Sequence, residues 1–299
     1  MLDYKHLEAL AKVASEGGFD KAAQALNITQ SAVSQRVRQL EEHTGQVLLA
    51  RSSPPRPTAA GERLIKHYIQ VKYLEDELGE ILDPEAGGSF VSLPVGLNED
   101  SLSTWFLKAV TPFLRQAHVL LDLRADDQEV THRMLRDGRV IGCVSSWDKP
   151  VQGCDMQFLG RMIYKLVCTP GFAEKWFPGG LSPEAAREAP TLVFNRKDNM
   201  NNKFFRRAFG RVPDNVPTCY LPSSEQFLTF IRSGLAYSLV PDMQCDGLLK
   251  SGELVELAPD MHMPSNLYWH CWSIQSPILK RFSKALIGGA RQLLDQNAA

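Results

Sequence analysis

No apolar run in this chain reaches the roughly 18 residues that a membrane-spanning helix needs, which argues against a membrane partner. The N-terminus MLDYKHLEAL also lacks the basic start and apolar core of a secretion signal, so the expectation is a cytoplasmic protein. Neither charge sign is in excess: 33 basic residues face 34 acidic ones. A whole-chain electrostatic attraction to nucleic acid is therefore excluded, and any DNA contact has to come from a local patch. The six cysteines contain no CxxC and the seven histidines are dispersed, so no metal site assembles from spacing, and the thiols read as small buried hydrophobes. A nucleophile elbow and a glycine-rich phosphate loop are missing too. No catalytic residue, metal or cofactor is assigned, and the reading is of a protein that is not an enzyme.

What is present is an ordinary globular composition, 44% hydrophobic and 22% charged, over 299 residues, which gives room for two or three domains. The stretch Thr29–Glu42, TQSAVSQRVRQLEE, carries Ala32, Val33, Val37 and Leu40 at helical spacing. Its other face is polar, offering Gln30, Ser31, Ser34, Gln35 and Arg38, with Arg36 at the edge. These are donors able to reach base edges and phosphates. Thr29 is placed to cap the start, and Gly45 marks the end. A helix over Tyr4–Ser15 stops at Gly17-Gly18, and Asp20 is read as the N-cap of a short helix ending at Leu26, whose Ala22 and Ala23 permit close helix approach. Periodicity alone also admits a plain three-helix bundle.

Val47, Leu48 and Leu49 read as a short strand, followed by Arg51 and Arg56 in a loop stiffened by Pro54, Pro55 and Pro57. A stiff loop that projects cations suits a wing against phosphates or the minor groove. From Ala59 to about Leu82, Leu64, Tyr68, Val71, Leu74, Leu78 and Ile81 recur every three or four residues. A helix of about 36 Å with such a stripe needs a partner helix. Asp83-Pro84-Glu85-Ala86-Gly87-Gly88-Ser89 reads as a linker. Beyond it strands alternate with helices, which predicts an α/β region with a largely parallel sheet.

The segment GGFDKAAQALNITQSAVSQRVRQLEEHTGQVLLAR resembles the DNA-binding domain of the LysR-type transcriptional regulators. ARSSPPRPTAAGE, LNEDSLSTWFLKAV, FAEKWFPGG, SSEQF and LYWH extend the similarity over essentially the whole chain, toward the arginine- and lysine-responsive branch that activates basic amino-acid export, also described as the chromosome replication initiation inhibitor branch. The resemblance implies an α/β multidomain fold: a winged helix-turn-helix over 1–58, a linker and dimerisation helix with hinge over 59–88, and an effector domain over 89–299. The effector domain would resemble periplasmic binding proteins, with subdomain I over 89–163 and 267–299 and subdomain II over 164–266. On that scheme the chain crosses between subdomains near Arg161–Val167 and returns near Asn266–Tyr268.

In open α/β sheets, ligands sit at strand carboxyl ends beside helix starts. That rule selects Asn98-Glu99-Asp100-Ser101-Leu102-Ser103-Thr104, then Asp126-Asp127-Gln128, Ser145-Ser146-Trp147, Phe194-Asn195 with Asp198, and Ser223-Ser224-Glu225. The effector-contact candidates are Asp100, Ser101, Leu102, Asp126, Asp127, Ser145, Asn195, Ser223, Ser224 and Glu225, with Trp147, Tyr268 and Trp269 as packing surfaces. Each acid or serine at a helix start is by itself an ordinary cap; only their convergence on one cleft makes a site. Donors beside several carboxylates suit a zwitterion with a cationic side chain, lysine or arginine. The expected partners are double-stranded promoter DNA, a basic amino acid, RNA polymerase, and further copies of the chain as a dimer and a tetramer built as a dimer of dimers. A LysR-type regulator with another effector, and a ligand-indifferent nucleoid-type DNA binder, are the alternatives.

Overall fold

Alternation of short apolar helices with tight polar turns organises the first 60 residues. The computed structural model describes residues 2–50, 52–82, 90–125 and 131–297. Helices α1 (Tyr4–Glu16), α2 (Phe19–Leu26) and α3 (Gln30–Thr44) close around Leu7, Leu10, Val13, Ala22, Val33 and Leu40, all fully buried. Asp20 does not cap α2 as expected. The helix begins one residue before it, Gly18 occupies the cap position without a side-chain bond, and Asp20 lies in the first turn, where its charge is stabilised by the positive end of the helix dipole. Asn27, at φ 53°, makes the turn toward α3. Thr29 caps α3 by accepting from Ala32 N at 3.2 Å, and Gly45 ends it in the left-handed region.

The wing is a two-stranded ribbon of β1 (Leu49–Ala50) and β2 (Arg56–Pro57). It is shorter than the sequence suggested. Val47 is exposed, and the backbone N–H groups of Leu48 and Leu49 donate to Glu41 Oε1 at 2.8 and 3.3 Å instead of to a strand, which pins the wing to α3. Thr58 begins α4 (Ala59–Leu82), accepting from Gly61 N at 3.2 Å and donating to Val47 O at 2.7 Å. Ile65 packs into the N-terminal core and Tyr73 into the core of the region beyond. The boundary segment 83–89 lies outside the described residues. No helix among them is long and apolar enough to cross a membrane.

The remainder runs β3 (Val91–Leu97), α5 (Glu99–Ser101), a π-helical turn (Leu102–Phe106), α6 (Leu107–Leu114), β4 (Val119–Ala125), α7 (Thr131–Arg136), β5 (Gly142–Ser145) and β6 (Cys154–Cys168). Then come α8 (Pro170–Trp176), α9 (Pro183–Glu188), β7 (Thr191–Val193), α10 (Met200–Phe209), β8 (Thr218–Tyr220) and α11 (Ser224–Arg232). Strand β9 (Ser238–Pro241), α12 (Asp242–Ser251), β10 (Val255–Glu256), β11 (Met263–Trp272) and α13 (Pro277–Leu293) complete it. Strands β3, β4 and β5 are parallel, as are β7 and β8.

The sheet is not largely parallel, however. Long β6 and β11 pair antiparallel from one end of the region to the other, joining a lobe I built on β3, β4 and β5 to a lobe II built on β7, β8 and β9. Their register shifts between Leu267 and Tyr268, opposite Gly160, whose φ is 140°. A strand that bends between two lobes needs such an irregularity to break the continuous pleat.

Candidate functional site

Two surfaces have the chemistry of binding sites. On α3, Gln30, Ser31, Gln35 and Arg38 are exposed, while Ser34 and Arg36 are half-buried. Local bonds order the polar face: Thr29 Oγ1 pairs with Ser31 Oγ at 3.0 Å, and Gln30 Nε2 donates to Ser34 Oγ at 3.3 Å. Arg38 Nε reaches Glu42 Oε1 at 2.9 Å, but both side chains are open to water, so the pair is weak and Arg38 is available to a phosphate. Arg56 is exposed on the wing, whereas Arg51 lies outside the described residues. The face thus presents short hydroxyls and amides at its N-terminal half and a cation further along.

The second surface is a cleft between the lobes. Lobe I contributes Asn98, Glu99 and Asp100 at the carboxyl end of β3; lobe II contributes Tyr164, Phe194, Asp198, Met200, Ser224, Phe227 and Gln244. The cavity is about 70 Å³, several times the space that one water needs. Asp100 is its centre. Tyr164 donates to Oδ2 at 2.7 Å and Ser224 to Oδ1 at 3.0 Å. Loss of water pushes the Asp100 carboxyl above its ordinary value, more than the hydroxyl donors pull it down, and the negative charges of Asp198 and Glu99 push the same way.

Asp198 sits in lobe II with both oxygens held by backbone: Oδ1 accepts from Met200 N at 2.9 Å and Oδ2 from Phe194 N at 3.3 Å. Below it, Asn201 Nδ2 donates to Leu192 O and to Thr191 Oγ1, each at 3.0 Å, which ties α10 to β7. Polar bonds also link the lobes. Gln244 Nε2 donates to Ser103 Oγ at 3.0 Å, and Ser103 and Ser224 hydroxyls lie 3.1 Å apart. Asn98 lines the cleft, and its Oδ1 is buried with no hydrogen-bond partner among the described residues. Among the described lining residues none carries a positive charge, although Glu99, Asp100 and Asp198 are acids.

The structure brings Asp100 and Ser224 together, as the strand-end rule anticipates. It takes other candidates elsewhere. The loop expected from Asn98 to Thr104 is helical from Glu99, which turns Ser101 inward to a buried position and packs Leu102 against the main core. Ser145 is buried and accepts from Trp147 N at 3.1 Å. Asn195 folds back on its own loop, accepting from Lys197 N at 2.7 Å and Asp198 N at 3.2 Å. Ser223 caps α11 by accepting from Gln226 N, and Glu225 in the next position is exposed. None of these lines the cleft.

Asp126 and Asp127 lie outside the described residues. Trp147 stacks on His132 at 4.7 Å, and Trp269 is buried with Nε1 donating to Ser283. Tyr268 packs on Phe158. Tyr164 and Gln244 were missed because the first reads as one more residue of an apolar strand and the second lies on a helix without a clear apolar stripe. The identity of Asn98 as the residue straight after a strand was the one available signal for its role.

Comparison with known proteins covers both surfaces. Residues 4–62 match the bacterial regulatory helix-turn-helix proteins of the lysR family, and residues 91–291 match the LysR substrate binding domain. The chain is 40% identical over 293 residues to the HTH-type transcriptional regulator ArgP of Aeromonas salmonicida, covering 98% of each. The crystal structure of ArgP from Mycobacterium tuberculosis superposes with a TM-score of 0.87 at 36% identity, covering 99% of this chain and 100% of the other. Full-length LysG from Corynebacterium glutamicum with bound effector Arg gives a TM-score of 0.80 at 32% identity over 98% of this chain and 100% of that one. With a helix-turn-helix at one end and an acid-lined two-lobed cleft at the other, the chain belongs to the LysR family of bacterial regulators.

Proposed function

We propose that this chain is a transcription regulator whose cleft takes lysine or arginine and whose α3 face and wing bind promoter DNA. The observation that carries the effector reading is the charge of the cleft: three carboxylates and no lining cation among the described residues. Buried or half-buried acids without a counter-charge favour an incoming cation, because it relieves their mutual repulsion and the loss of water together. The arginine bound to LysG, 32% identical, supports the same reading. DNA contact is assigned to Gln30, Ser31, Ser34, Gln35, Arg36, Arg38, Arg51 and Arg56. Pairing through the α4 stripe gives a dimer, and dimers pair into a tetramer, so that two reading helices meet half-sites about one DNA turn apart or a multiple of it. The regulator acts in the cytoplasm, activates an amino-acid exporter's promoter and contacts RNA polymerase there.

The ligand shifts the equilibrium between lobe arrangements only by its difference in affinity for them. Isothermal titration calorimetry of the full-length protein with lysine, arginine and leucine tests the effector. Heat with the two basic amino acids and none with leucine is expected. Equal heats, or none, would overturn the basic-amino-acid reading and leave the DNA-binding one in place.

A further inference from the structure

We infer that the cleft reads its ligand's two cations with two different carboxylates, one from each lobe: Asp100 takes the α-ammonium and Asp198 the side-chain ammonium or guanidinium. This rests on the basic-amino-acid reading and adds to it an orientation and a specificity-determining residue. At Asp100 the polar groups gather: Tyr164 and Ser224 donate to its carboxylate, Gln244 Nε2 reaches Ser224, and Asn98 and Glu99 precede it in the lining. Asn98 lines the cleft and its Oδ1 is buried with no partner among the described residues, an acceptor that a ligand donor brought against it would satisfy. An ammonium with three N–H groups fits that set, meeting Asp100 and Asn98 at once. The side-chain amide of Gln244, whose second N–H makes only a long 3.4 Å bond to Ser224 Oγ, is the donor beside it for an α-carboxylate.

At Asp198 the carboxylate is held from behind by the N–H groups of Phe194 and Met200, whose residues both line the cleft beside it. A methylene stem packs on those side chains while its terminal cation meets Asp198. The reverse orientation would place the stem against Asn98 and Glu99, leaving a buried acceptor facing CH₂ groups, which is unfavourable. Because the two acids belong to different lobes, a ligand with both cations spans the cleft, and a ligand with one does not.

The test removes each cation from the ligand and each carboxylate from the full-length protein, and reads ratios of affinity by calorimetry. Norleucine is lysine without the ε-ammonium; 6-aminohexanoate is lysine without the α-ammonium. The unaltered protein is expected to bind lysine about ten-fold or more tighter than either, which is about 1.4 kcal/mol per lost charged contact. In Asp198→Asn the lysine-to-norleucine ratio should fall to about two-fold or less while the preference over 6-aminohexanoate persists; Asp100→Asn should do the opposite.

Ratios within one variant cancel any loss that the loop around Asp198 imposes on all ligands alike. Asp198→Glu keeps the charge on a stem one methylene longer and should raise the ornithine-to-lysine ratio, which serves if Asp198→Asn does not fold. Interchanged ratios, ratios that both survive Asp198→Asn, or an unchanged ornithine-to-lysine ratio in Asp198→Glu would overturn the assignment while leaving the effector class standing. An unaltered protein that binds norleucine as well as lysine would remove the effector class, and the assignment with it.

Discussion

Asp100 is held by hydroxyls, faces two other acids, and has lost most of its water. Its proton is therefore bound more tightly in the folded chain than in the unfolded one. Stability from this group is complete below the ordinary value of 3.8 and declines as pH rises through the raised folded value, because the charged form is the one that burial disfavours. Asp100→Asn should melt at a higher temperature than the unaltered protein at pH 7, with the gain vanishing near pH 3, and should bind lysine more weakly. Thermal melts at the two pH values check the first part; a lower melting temperature at pH 7 would contradict it. Such a trade of stability for affinity is usual at binding sites. On α3 the exposed Arg38 and Gln35 should separate by mechanism. Arg38→Ala should weaken binding to specific and random duplexes alike and lower the slope of log affinity against log salt by about one. Gln35→Ala should cost about 1 to 3 kcal/mol on the selected site only. Fluorescence anisotropy across a salt series distinguishes the two, and equal losses on both kinds of DNA for Gln35→Ala would remove its base contact.

The linker helix α4 shows at the element scale what periodicity reveals and what it hides. Its stripe Leu64, Tyr68, Val71, Leu74 and Leu78 is visible in the sequence, yet only Leu64 and Tyr68 of it pack, partly buried, on the N-terminal core, and the large side chains of α4 most buried among those described are Ile65, Tyr73 and Glu77, on a neighbouring face. Leu78 is 52% exposed, open for another helix. Leu78→Arg should weaken self-association in sedimentation equilibrium without lowering the melting temperature of the monomer. Ile65→Ala should do the reverse, costing about 2 to 5 kcal/mol of stability.

Glu77 was illegible because a lone acid on an amphipathic helix reads as solvated. Here it is 3% exposed, and Oε1 accepts from Ile278 N at 2.7 Å, where the first turn of α13 presents an unpaired N–H and the positive end of its dipole. Glu77→Ala should lower stability by about 1 to 3 kcal/mol and Glu77→Gln by much less, since the amide oxygen keeps the bond; equal melting temperatures for the two variants would refute the capping role. The same distinction runs through the site. Thr29, Gly45, Asp100 and Ser224 are found by local rules, because caps and strand ends are set by near neighbours. Tyr164 and Gln244 are brought to the cleft by the pairing of β6 and by the packing of α12 after β9, which are contacts between distant parts of the chain.

Only β6 and β11 pass between the lobes among the described strands, so the relation of lobe I to lobe II is set where they bend. The chain's end returns to that point. Asp295 and Arg161 exchange backbone bonds at 2.8 and 3.1 Å, the Arg161 guanidinium donates to Asp295 Oδ2 through Nη2 at 2.6 Å and Nε at 3.1 Å, and Gln296 Nε2 donates to Leu159 O at 3.0 Å. Gly160 makes the approach feasible: at φ 140° it has no side chain, and a Cβ there would lie 2.6 Å from Leu294 Cβ. The tail thus acts as a short third strand across the bend, adding hydrogen bonds where the β6–β11 register is broken. Ending the chain after Leu294 should leave each lobe's core intact but loosen the bend. Hydrogen exchange should accelerate at Arg161 and Met162 and stay unchanged at Val144 and at Leu239, which lie inside the separate lobes. Lysine affinity should fall, since part of the binding energy must then order the bend, whereas DNA affinity without ligand should be unaltered because α3 and the wing touch neither strand. Uniform acceleration across both lobes would show instead that the tail supports the whole effector domain.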